Sequence, residues 1–119
     1  MTVFSHSLLS DGLIENTPAI VNGSTSFTYA LKANNYDGSY NNTLTLNSKS
    51  LEVVVAIGNY SLGRVIIDMY NEDNINIFHG DYVEGVALSQ SFNSETFAKK
   101  IQLTLTKVTA SVSLVIKAK

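Results

Sequence analysis

Apolar and polar residues alternate with a period of two over most of the chain, which is the pattern of half-buried strands. In Ser26–Ala33, Phe27, Tyr29, Leu31 and Ala33 share one face. Leu44 and Leu46 alternate with Thr43, Thr45 and Asn47. Val65, Ile67 and Met69 alternate with Arg64, Asp68 and Tyr70. The run Leu51–Ile57 is apolar on both faces apart from Glu52, which predicts a central strand. Ile75 and Ile77 follow the polar turn Asn71–Asn74, the best hairpin candidate. Val86, Leu88, Gln90 and Phe92 form a further run, as do Ile101, Leu103 and Leu105, and then Val112, Leu114 and Ile116. Lys107–Ala110 reads as a short turn that makes the last two runs antiparallel neighbours. A competing helix over Glu95–Leu105, capped by Ser94, places Phe97, Ile101 and Leu105 four apart, but Leu103 and the threonines favour a strand.

These runs predict an all-β fold, an antiparallel β-sandwich of about eight strands with jelly-roll or Ig-like topology. Val53, Val55, Val65, Ile67, Leu103, Leu105, Leu114 and Ile116 are the expected core. Residues 25–119 form the sandwich, and residues 1–24 form an N-terminal arm or an irregular first strand pair. Within that arm Val3, Phe4, Leu8 and Leu9 are apolar enough to need a cover, and they are read as an assembly device that packs on a neighbouring subunit.

Composition adds exclusions. The 119 residues suffice for one packed domain without staples, and there is no cysteine for a disulfide, a thiolate metal site or a cysteine nucleophile. The net charge of −2 leaves no cationic excess for a phosphate backbone, so nucleic acid is not an expected partner. No apolar run is long enough to span a membrane, and the first ten residues lack the features of a signal peptide, so synthesis in the cytoplasm is expected. Charge is uneven along the chain. Residues 64–95 set Arg64 against six acids, whereas residues 96–119 carry five lysines and no acid. Such polarity arises from solvated faces that pair across a sheet, or from complementary patches that orient neighbouring copies.

The longest polar stretch, Asn34–Asn42, combines Asn34, Asn35, Tyr36, Asp37, Tyr40 and Asn41. Planar amides and aromatic faces suit a solvated loop, a protein contact or a glycan contact. An irregular calcium site near Asp73 and Asp81 is a further candidate, although Asn71–Tyr82 departs from the EF-hand spacing at three places. His6 and His79 have no ligand-like spacing, and Gly58–Gly63 has one residue too many for a nucleophile elbow. Neither a metal, a cofactor nor an enzymatic activity is expected. The sequence points to a structural protein of a larger assembly, a homo-oligomer or a virion component such as a capsid, decoration or tail protein of a phage. The alternative is a carbohydrate-binding module or small lectin using Asn34–Asn42.

Overall fold

A computed structural model describes residues 12–119 of the chain. Strand makes up 74% of these residues and helix none, so the alternative helix after Ser94 does not form. Six strands run in order: β1 (Ala19–Asn22), β2 (Ser26–Thr43), β3 (Ser50–Asn71), β4 (Asn76–Tyr82), β5 (Val86–Asn93) and β6 (Ala98–Ala118). All pairings are antiparallel. The order is β1-β2-β6-β3-β4 in one sheet, with β5 also paired to β3.

The expectation of about eight strands is corrected to six. The runs Leu51–Ile57 and Arg64–Tyr70 belong to one strand, β3, and Ile101–Leu105 and Val112–Ile116 both belong to β6. Lys107–Ala110 is therefore not a hairpin turn between neighbours but the interior of β6. Leu44 and Leu46 lie in the loop after β2, yet both are buried. A loop that alternates against a core obeys the same period as a strand, without a ladder on either side. The Asn71–Asn74 turn does join β3 to β4. There the Asn71 side-chain oxygen accepts the backbone N–H of Asp73 at 2.9 Å and of Ile75 at 3.0 Å, an Asx turn.

The long strands bend sharply. A straight 22-residue strand would span about 70 Å at ~3.3 Å per residue, whereas the longest extent is 37 Å. Within β2 the rings of Phe27 and Tyr29 each lie 6.0 Å from the ring of Tyr40, so the strand has folded back on itself. The bend coincides with register shifts in all three long strands, between Ala33 and Gly38, between Gly58 and Arg64, and opposite them around Lys107. Asn35, Asn59 and Lys107 take positive φ there (50°, 50° and 48°), and Gly63 takes 104°. Each inserted residue re-aims the side chains that follow. In β6 the buried positions switch from Ile101, Leu103 and Leu105 to Val108, Ala110, Val112, Leu114 and Ile116 across Lys107. One face of the sheet, taken on both sides of the bend, thus lines a single continuous core. All eight expected core residues are in it, each at 2% exposure or less.

Val3, Phe4, Leu8 and Leu9 lie outside the described residues. Of the rest of the N-terminal region, β1 pairs with Phe27–Ala30 of β2.

Candidate functional site

The Asn34–Asn42 stretch lies within β2 rather than in a loop, and it carries the bend. Several of its polar groups are used internally. The side chain of Asn16 brackets the Asn34 peptide, accepting its N–H at 2.7 Å and donating to its C=O at 3.0 Å. The Asn34 amide donates to Glu15 at 3.0 Å, and the Asn35 N–H donates to the Thr109 hydroxyl at 2.9 Å. Asp37 accepts the Lys107 N–H at 3.0 Å, which holds the two bulged strands together. Tyr36 and Tyr40 are half-buried and pack against the core, Tyr36 with its ring beside Gly38. Burial, with Tyr36 nearby as a lesser cause, holds the Tyr29 hydroxyl pKa well above the usual tyrosine value. Of the singled-out residues only Asn41 joins a broad outer surface, in register with Gln102 of β6.

That surface is the outer face beyond the bend, and it is polar. The register aligns Asn41, Gln102, Asp68 and His79 in one row across four strands. His79 Nδ1 lies 2.6 Å from Asp68 Oδ1, which also accepts the Asn76 amide at 3.0 Å. The third member of this group is an amide and not a hydroxyl. Neighbouring positions hold Lys100, whose ammonium sits 5.6 Å above the Tyr70 ring, and Arg64, which pairs with Asp81 at 2.9 Å. Asp73 lies in the turn before β4, while Asp81 is near the end of that strand and engaged by Arg64, so the two candidate calcium ligands sit apart. Among the described residues no cluster of three or more His, Asp or Glu could hold a metal ion.

The opposite outer face, before the bend, has a different character. Its rows are Ala19, Ala30, Ser113, Ala56 and Ala87, and then Val21, Thr28, Val115, Val54 and Ser89. These rows contain no charge. Lys117 and Glu52 stand next to each other in the row on one side, and Lys32 lies in the row on the other side. Val21 is 63% exposed, Val54, Ala56 and Val115 are half-buried, and Ala30 is already covered within the chain. A solvated antiparallel face normally alternates apolar-in with polar-out. Sequence patterning marked Leu51–Ile57 as apolar on both sides. It did not show that Val115, Ala30 and Ala87 would extend that second apolar side across five strands, because the pairing is non-local.

Among the described residues, three shallow depressions have volumes of about 230, 290 and 270 Å³, against roughly 300–1,000 Å³ for small-molecule pockets. The one of about 290 Å³ is lined by Asn41, Asn42, Thr43, Lys100 and Gln102, and the apolar one by Val54, Ala56, Ala87 and Leu88. The lysines that dominate the C-terminal sequence are scattered, because β6 is an inner strand flanked by β2 and β3 along its length. No helix among the described residues is long and apolar enough to cross a membrane. Comparison with protein-family models and with curated proteins finds no match to this chain.

Proposed function

We propose that this protein is a non-enzymatic structural subunit of a larger assembly, a virion component such as a capsid, decoration or tail protein, whose bent sheet closes as a two-layered sandwich. The observation that carries the reading is the difference between the two outer faces of one sheet. One carries Asn41, Gln102, Asp68 and His79 in a single row, whereas the other has two adjacent rows of alanine, valine, serine and threonine without charge, between Lys32 on one side and the Glu52–Lys117 pair on the other. An apolar sheet face of this breadth marks a contact surface, since isolated soluble domains keep such patches small. Its small side chains suit close approach of another sheet at about 10 Å. The glycan alternative needed aromatic rings presented to solvent from Asn34–Asn42. Tyr36 and Tyr40 are packed inward, so the assembly reading is favoured.

Light scattering of the purified full-length chain, paired with a glycan array, tests the proposal. A multimer, or a chain taken up only into particles, is the expected result. A monomer that binds sugars specifically would overturn it.

A further inference from the structure

A strand at the margin of a sheet leaves a row of N–H and C=O groups unpaired, and proteins blunt such rows with charge, proline, brevity, bulges or caps. Among the described residues four stretches lie at a margin, and three are blunted. The first, β1, has four residues and follows Pro18. On β4 the charged Asp81 is present, and the strand meets β3 with a register shift. The second half of β2 ends in side-chain caps: the Asn42 side-chain oxygen accepts the Thr43 N–H at 2.8 Å, and the Asn22 amide donates to the Thr43 C=O at 2.8 Å.

The fourth, β5, has none of these devices. Val86–Asn93 is eight residues long, without charge or proline, and follows β3 in unbroken register. Its polar side chains turn to their own sheet: Ser89 donates to Glu52 at 2.9 Å, Ser91 accepts from Lys119 at 3.2 Å, and Asn93 bonds Ser50. None of them caps the outer row of its backbone.

We infer that β5 is where two copies of this chain join, antiparallel about a two-fold axis through Gln90, so that one sheet continues into the next. The inference rests on the assembly reading and names its contact. The strand's own sequence selects the register. Side chains directly opposed across a ladder lie on the same face. Leu88 and Phe92 lie on the core side, in register with Val55 and Leu51. Centring the pair on Gln90 sets Leu88 against Phe92 of the partner subunit twice, and Ser89 against Ser91 of the partner subunit twice. Centring it between two residues would instead oppose core-side and outer side chains.

Gln90 is exposed and faces its own counterpart on the axis, which makes the test specific. The full-length chain should have a mass of about twice 12.9 kDa. Because the protein has no cysteine, Gln90→Cys adds a single thiol. This variant should form a disulfide-linked dimer under mild oxidation, whereas Asn76→Cys on the β4 margin should not. Gln90→Lys and Gln90→Glu should each be monomeric with an unchanged circular dichroism spectrum, and mixing them in equal amounts should restore the dimer. A multimer that neither charge variant dissociates, or a Gln90→Cys chain that does not cross-link, overturns the β5 contact while leaving the assembly reading in place. A monomeric wild type that dimerises once residues 1–11 are deleted also overturns it, by making that segment the cover of the edge.

Discussion

Gly63 sits where β3 and β6 bend together, and its replacement by alanine isolates the cost of that bend. Its φ of 104° lies where an L side chain is strained, and a Cβ there would meet the Lys107 carbonyl oxygen and the Val108 Cα, each at 2.5 Å. Both are backbone atoms of the neighbouring strand and cannot rotate away. The strained dihedral costs about 1–3 kcal/mol, and the forced backbone shift costs a further ~1–3 kcal/mol. Against a total stability of roughly 5–15 kcal/mol, Gly63→Ala should remove a large share. With a urea m-value of about 1–3 kcal/mol/M, the midpoint should fall by on the order of 1–3 M. Gly58→Ala, five positions earlier in the same strand, is the control. Its Cβ would meet nothing within 4 Å and its φ is not positive. That substitution should stay within about 1 kcal/mol of wild type, with the lower entropy of the unfolded chain acting in its favour. Equal midpoints for the two variants would refute the claim that close strand approach at Gly63 shapes the fold.

Leu114→Ala and Ile101→Ala, on opposite sides of the bend but in one core, should each cost about 2–5 kcal/mol in urea or thermal denaturation. Asp37→Ala removes the acceptor of the Lys107 N–H and should lower stability by about 1 kcal/mol, with Asp37→Asn retaining most of the loss-free behaviour because an amide oxygen can still accept. Alkaline titration should expose Tyr29. Its folded pKa is raised, so above about pH 10 the unfolded chain ionises first and stability falls as pH climbs. The urea midpoint of wild type should therefore drop more between pH 8 and 11 than that of Tyr29→Phe, which keeps the packing and leaves the smaller contribution of Tyr82, also raised by burial.

Local patterning carried the class of the fold and the composition of the core. Period two with β-branched residues suffices to declare strands, and every core position read from it is buried, because alternation records which side of a pleated chain meets apolar neighbours. Even Leu44 and Leu46 obey it from a loop. The same signal cannot count strands. Leu105 and Val108 share a core across Lys107, and a break in parity reads identically as a turn between two strands or as a bulge within one. Only the register with β2 and β3 distinguishes them, and that register is set by contacts between residues dozens of positions apart. The polar stretch Asn34–Asn42 was legible as unusual, but its use was not. The backbone N–H groups of Asn34 and Asn35 and the Asp37 carboxylate hold bent strands together because Asn16, Thr109 and Lys107 arrive beside them, and nothing within the stretch encodes those arrivals. The candidate contact surface divides in the same way. The doubly apolar Leu51–Ile57 announced a second covered side, while the uncharged margin of β5 and the apolar rows it extends exist only once pairing has placed β5 outermost beside β3. Sequence alternation sets the orientation of each side chain relative to its own strand; pairing over long separations decides which strands are left with an open edge.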